Sequence, residues 1–92
     1  MTTIEEIKNR LNLLETIESY VPELKQAGQN WKACCPFHNE RTPSFVVNPS
    51  RGTWHCFGAC SSGGDVIEFV RRIEGLELRD AIKICAERAG IE

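Results

Sequence analysis

Cys35-Pro36-Phe37-His38 and Cys56-Phe57-Gly58-Ala59-Cys60 are two short cysteine-containing segments around which the chain is organised. Seventeen residues separate the histidine of the first from Cys56 of the second. Each stretch offers two metal ligands from one tight turn, through a Cys-x2-His spacing and a Cys-x3-Cys spacing. Zn²⁺ in proteins is held by about four cysteine and histidine ligands in a tetrahedron, which two such turns supply. Four protein ligands leave no open position for substrate. The sequence therefore predicts one structural zinc ion held by Cys35, His38, Cys56 and Cys60.

The residues around these turns have the pattern of short β-strands. Ser44–Val47 and Thr53–Phe57 are rich in β-branched and aromatic residues, and the segment 48–52, Asn-Pro-Ser-Arg-Gly, is typical of the turn that joins a hairpin. Trp31–Cys34 is predicted to be a further strand that enters the first metal turn. Together these segments predict a zinc ribbon over residues 30–62.

Alternation along the second hairpin strand places Trp54 and Cys56 on one face and His55 on the other. An aromatic ring beside a basic group is typical of proteins that bind single strands, because any base can stack and a cation can pair with a phosphate. Trp54 and His55 are therefore candidate nucleic-acid contacts. Packing in the core is the alternative at Trp54, and the same two alternatives remain open for Trp31. His55 is also an alternative metal ligand to Cys56, which we disfavour because Cys56 pairs with Cys60.

Helices are predicted on both sides of the ribbon. Thr3 and Glu6 have the spacing of a capping box, and Asn12 can cap a second helix that Pro22 limits. Asp65 and Glu68 form another capping box before an apolar stripe, and a last helix begins near Leu78 and buries that residue. The prediction is one domain over residues 1–92 of α+β class: an antiparallel sheet with helices over residues 3–21 and 66–89.

Composition and length fit a small domain of a reducing compartment. The 92 residues are 41% hydrophobic and 26% charged, and a chain this short buries only about 60–65% of its unfolded surface, so a metal staple is expected. No apolar run approaches the length of a membrane span, and the acidic start does not resemble a secretory signal. We expect a cytoplasmic protein in which Cys35, Cys56 and Cys60 bind zinc and none of the five cysteines forms a disulfide. Cys34 and Cys85 are predicted to be packing residues.

The charge distribution bears on the class of partner. The formal net charge is -2, whereas general nucleic-acid binders are usually basic. Residues 29–60 nevertheless carry Lys32, Arg41 and Arg51 against Glu40 alone, and both flanking segments are acidic. The ribbon is thus the segment with a positive balance.

The stretch from Asn30 to Phe45, with Cys-Pro-Phe-His and Arg-Thr-Pro-Ser-Phe at their spacing, resembles the zinc-binding domain of bacterial DnaG-type DNA primases, as does His55–Gly58. The resemblance covers nearly the whole chain. One departure is the second metal turn, where that family usually has Cys-x2-Cys. The resemblance implies a domain that binds single-stranded template DNA, helps select primer initiation sites and works beside a separate RNA polymerase domain and, in some cases, a replicative helicase. It also implies a phosphate contact by Arg41.

We find no motif for catalysis, so this chain alone is not expected to be an enzyme. From the end of the chain we expect a piece of a longer protein. The proposed nucleic-acid contacts are Lys32, Arg41, Arg51, Trp54 and His55. An alternative function is a zinc-stapled protein interaction module that docks on a polymerase domain or helicase without touching DNA. A third interpretation is a zinc-linked thiol redox switch, which rests on the Cys-x3-Cys spacing alone.

Overall fold

The computed structural model describes residues 3–37, 41–58 and 61–91, and these form helices at both ends of the chain with a sheet between them. The helices are α1 (Thr3–Arg10), α2 (Leu13–Tyr20), α3 (Val66–Glu74) and α4 (Leu78–Arg88). The strands are β1 (Lys25–Ala27), β2 (Asn30–Ala33), β3 (Phe45–Asn48), β4 (Thr53–Cys56) and β5 (Gly63–Gly64). The predicted α+β class is confirmed.

The five strands form one antiparallel sheet in the order β1-β2-β3-β4-β5. The two edge strands, β1 and β5, are not predicted by the sequence: residues 25–30 have the composition of a polar turn and residues 61–64 that of a flexible exit. Lysine, glutamine and glycine have low strand propensity, so the local pattern gives no signal there. Pairing with β2 and β4 creates these two strands.

One face of the sheet, which we call the inner face, packs against the helices. Phe45, Val47 and Trp54 lie on it and are at most 2% exposed. Four aromatic rings form the centre of this core, with neighbouring ring centroids 5.3–6.2 Å apart, and they belong to Phe37, Phe45, Trp54 and Phe69. Phe69 comes from α3, so the core joins the ribbon to the helices that follow it. The prediction that Phe45 is a core residue is confirmed.

Helix termini are fixed by the residues that the sequence indicated. The Asn12 side chain accepts a hydrogen bond from the Glu15 backbone N–H (2.9 Å), and Asp65 accepts one from Glu68 N–H (2.9 Å). α3 ends at Gly75 in the left-handed conformation (φ 66°), which glycine adopts without steric cost. Two details differ: α1 already includes Thr3, and the Glu68 carboxylate binds arginines rather than completing a reciprocal box.

The prediction that Leu78 is buried is wrong, because 56% of this residue is exposed. α4 turns Ala81 and Cys85 toward the core, and both are fully buried, while Leu78 occupies the first helical position beyond the edge of that contact. The predicted burial of Cys85 is confirmed, and this burial raises the pKa of its thiol. Within the described residues, no helix has the length and apolar character needed to cross a membrane.

Candidate metal centre and outer sheet face

Strand register places two of the predicted zinc ligands at the same end of the sheet. Ala33 on β2 pairs with Phe45 on β3, which pairs with Cys56 at the end of β4. Cys35 follows Ala33 by two residues, so it leaves the sheet at the end where Cys56 lies. Both cysteines are buried, at 4% and 0% exposure. Two buried thiols at one end of a sheet are suited to a metal.

The surroundings of Cys56 fit a metal-bound thiolate. The Gly58 backbone N–H donates to Cys56 Sγ (3.4 Å), and Ser44 Oγ lies 4.0 Å from the same sulfur. Zinc binds cysteine through its sulfur, and a donor N–H beside that sulfur is a suitable neighbour for the metal-bound side chain. Ser61 lies beyond the turn with φ 40° and donates its backbone N–H to Gly58 O (3.2 Å), so the two flanks of the second metal turn are tied together.

The other two predicted ligands, His38 and Cys60, lie outside the described residues. The four-ligand set therefore stays a prediction, and no group of three or more metal-binding side chains occurs within the described ranges. Among the residues that the structure describes, no cysteine is half of a disulfide. His55 is exposed and its strand position faces away from Cys56, so the geometry favours Cys56 over His55 as the ligand from β4.

The face of the sheet opposite the core, the outer face, carries a groove of about 400 Å³ that we call the β2–β4 groove. Its polar and aromatic lining comes from three strands and the hairpin turn, and includes Asn30, Lys32, Asn48, Arg51, His55 and Phe57. None of the described residues that line it is acidic. The groove thus combines cations with exposed rings on a molecule of net charge -2.

Phe57 is the exposed aromatic residue of this groove. It is 70% exposed, and its ring centroid lies 4.4 Å from that of His55 at an interplanar angle of 60°. Phe57 is not among the contacts predicted from the sequence, although strand alternation places it on the same face as His55. Phe57 directly follows the predicted zinc ligand Cys56, and the predicted metal site already explains the residues of that stretch without a second role for Phe57.

The predicted stacking role of Trp54 is wrong for this fold, and the packing alternative holds. Trp54 is 2% exposed, and its Nε1–H donates to the backbone carbonyl of Asp65 (2.8 Å). A ring with so little exposed surface cannot stack on a base. Trp31 is half-buried and also packs against the core.

The predicted cations occupy different places. Lys32 is exposed on the outer face beside Val46 of β3. Arg51 lies at the hairpin tip, where the Asn48 side chain accepts hydrogen bonds from the Arg51 backbone N–H (3.2 Å) and from Ser50 Oγ (2.8 Å). Arg41 is exposed in the loop before β3 and is not among the residues that line the groove. The structure therefore brings Lys32, Arg51 and His55 together and leaves Arg41 apart.

Comparison with known proteins gives consistent matches. The profile of the CHC2 zinc finger family matches residues 1–92. The chain is 45% identical to a DNA primase of Thermotoga maritima over 89 residues, which are 97% of this chain and 15% of that protein. It is 42% identical to a DNA primase of Borreliella burgdorferi over 91 residues, or 99% of this chain and 17% of that protein. The chain thus spans less than a fifth of these relatives.

A solved structure has the same fold. The crystal structure of the zinc-binding and RNA polymerase domains of the Aquifex aeolicus primase matches with a TM-score of 0.91 and 36% identity. The match covers 100% of this chain and 22% of that one. The zinc-finger family and the structural match together indicate that the chain binds zinc.

Proposed function

The chain belongs to the CHC2 zinc finger family as the zinc-binding domain of a DnaG-type DNA primase, and from this membership we propose that its outer sheet face binds single-stranded template DNA. In this proposal the domain helps to select the sites at which RNA primers begin. The catalytic step belongs to an RNA polymerase domain of the same protein, outside this chain.

The observation that carries the proposal is the composition of the β2–β4 groove. Acidic residues outnumber basic ones in the whole chain, yet the described lining of this groove has Lys32 and Arg51 and no acid. The groove also contains Phe57, whose ring is exposed on a small domain that buries its other phenylalanines wholly or in part. Cations beside an exposed ring match the two contacts of single-strand binding, phosphate pairing and base stacking.

We assign the roles as follows. A base stacks on Phe57, whose ring is supported by His55, while Lys32 and Arg51 pair with phosphates and Arg41 adds a contact from the neighbouring loop. Three phosphate contacts on a single strand give a salt slope of about −2, so binding is weak and salt-sensitive. Tethering to the polymerase domain raises the effective concentration and makes such weak binding useful.

Zinc has a structural role in this proposal. One ion held by Cys35, His38, Cys56 and Cys60 fixes the end of β4, and Phe57 follows Cys56 directly. The metal would therefore hold the stacking ring in place without touching DNA. A closed four-ligand site has no open position for chemistry.

Fluorescence anisotropy with short single-stranded DNA tests the proposal. Phe57→Ala removes the stacking ring and should reduce affinity by about 1–3 kcal/mol, the usual contribution of one stacked base. Leu78→Ala is the matched control, because it also removes an exposed apolar side chain but lies on α4. Zinc content and thermal stability should be unchanged in both variants. Equal affinities of the two variants and the parent domain would overturn the role of Phe57, and no DNA binding by the parent domain at low salt would overturn the function.

A second candidate function is docking on the polymerase domain or a helicase, and one observation favours it. Ile4 of α1 and Leu78 of α4 are 40% and 56% exposed and line the same groove. Exposed apolar pairs of this kind are typical of protein contacts. If docking is the function, Leu78→Ser should weaken binding to a separately supplied polymerase domain, while the parent domain shows no DNA binding.

A further inference from the structure

A second groove continues the outer face toward the edge strand β1. It has a volume of about 380 Å³ and is lined by residues that include Glu23, Lys25, Lys32, Cys34 and Pro43. Lys32 also lines the β2–β4 groove, so the two depressions meet at this residue. We call the second one the β1 groove. The two grooves together form one track across the outer face, and this track continues past β2 to β1.

Two lysines face each other across this track. Lys25 on β1 pairs directly with Lys32 on β2, so the two side chains emerge on the same face of the sheet. Like charges directly opposite each other destabilise a sheet. No ion pair joins either lysine to an acid among the described residues, although Glu23 lines the same groove. An anion between the two ammonium groups would relieve the repulsion.

We propose that the β1 groove holds a backbone phosphate of the same DNA strand, between Lys25 and Lys32. The proposal rests on the proposed function and gives the strand a path. From His55 on β4 to Lys25 on β1 there are three strand spacings, or about 14 Å, so the track is longer than one contact. Bases lie at the β4 end, where Phe57 is exposed, and the backbone crosses β2 and β1.

Charge substitutions in the β1 groove test this assignment. Lys25→Gln should reduce affinity for an oligonucleotide of about ten residues by about threefold to tenfold at about 50 mM salt. It should make the salt slope shallower by no more than about 0.7, because Lys32 still contacts the same phosphate. Glu23→Gln should change affinity in the opposite direction, because it removes the acid from the same groove. Lys83→Gln is the matched control, since Lys83 is an exposed lysine of α4.

The outcomes separate this inference from the function on which it rests. If the parent domain binds DNA but Lys25→Gln behaves like Lys83→Gln, the phosphate site is wrong and the outer face remains the DNA surface. If Lys25→Gln and Glu23→Gln both weaken binding, the effect is structural and the phosphate site is also wrong. A parent domain that binds no DNA at low salt contradicts the proposed function itself. Zinc content and circular dichroism should match the parent domain, because both substituted residues are exposed.

Discussion

Trp54 connects the sheet to the helix that follows it. Its ring belongs to the inner core, and its Nε1–H donates to the carbonyl of Asp65, the residue that caps α3. Trp54→Phe keeps an aromatic ring but leaves that carbonyl without its donor, so we expect a loss of about 1–3 kcal/mol in the free energy of unfolding. Urea denaturation of the zinc-loaded domain measures this loss. DNA affinity should not change, and an unchanged stability would contradict the structural role of the indole.

Strand alternation alone places Trp54 and Phe57 on opposite faces of the sheet. It does not say which face the helices cover, because that depends on how four helices pack around the sheet. Trp54 is the larger and more attractive stacking group in the sequence, yet it is buried, while Phe57 is 70% exposed. Choosing between these two rings as the proposed stacking residue therefore requires the tertiary structure.

At the scale of elements, α3 is held by a cluster of ion pairs on its exposed side. Glu68 accepts hydrogen bonds from Arg71 (2.6 Å) and Arg72 (2.7 Å). The hydrogen bond from Arg71 is the main cause that lowers the pKa of Glu68 from 4.5 to about 2, and Arg72 contributes, while partial burial opposes both. The Glu68 carboxylate thus binds a proton more weakly in the folded state than in the unfolded chain.

This lowered pKa predicts a pH dependence of stability. The contribution of Glu68 is complete above pH 4.5 and is lost as the pH falls from there toward about 2. Unfolding measured through the acid range should show the parent domain more stable than Glu68→Gln above pH 4.5, with the difference shrinking below it. Glu74→Gln on the same helix is the control, because no ion pair involves Glu74 among the described residues. A difference that does not vary with pH would contradict this origin.

A helix or strand can be predicted from the sequence when the residues within it or at its ends carry a strong local signal. Caps at Asn12, Asp65 and Gly75 are predictable because a side chain or a glycine at a helix terminus acts on its own backbone. β1 and β5 are not predictable, since each is a strand only through pairing with a neighbour that the local sequence does not specify. These two edges then define where the outer face begins and ends.

At the scale of the molecule, the inner core includes both Cys56 and the aromatic cluster, so metal binding and folding should be coupled. If zinc joins the two turns as we propose, a chelator leaves buried thiols without that ion, and zinc-binding free energy in small domains is largely folding free energy. We expect a large fall in the thermal midpoint and loss of near-ultraviolet signal from the two tryptophans. Re-addition of zinc should restore both. An unchanged midpoint would contradict a structural zinc.

Family and fold class can be predicted from the sequence, because the residues of each metal turn are close together in the chain and their spacing is specific. The site can be predicted from the sequence only in part. Lys32, Arg51 and His55 share one groove, whereas Arg41 lies apart from it and Trp54 is buried. The net charge of the chain does not predict the charge of this surface, because a chain of net charge -2 has a groove whose described lining contains no acidic residue.

Binding of single-stranded DNA to the outer sheet face can be measured by amide chemical-shift mapping of the zinc-loaded domain. During titration with a short oligonucleotide, we expect the largest shifts in β2, β3 and β4 around Lys32, Val46 and His55, with smaller shifts in α4. Shifts confined to the helices around Ile4 and Leu78, or no shifts at low salt, would contradict it.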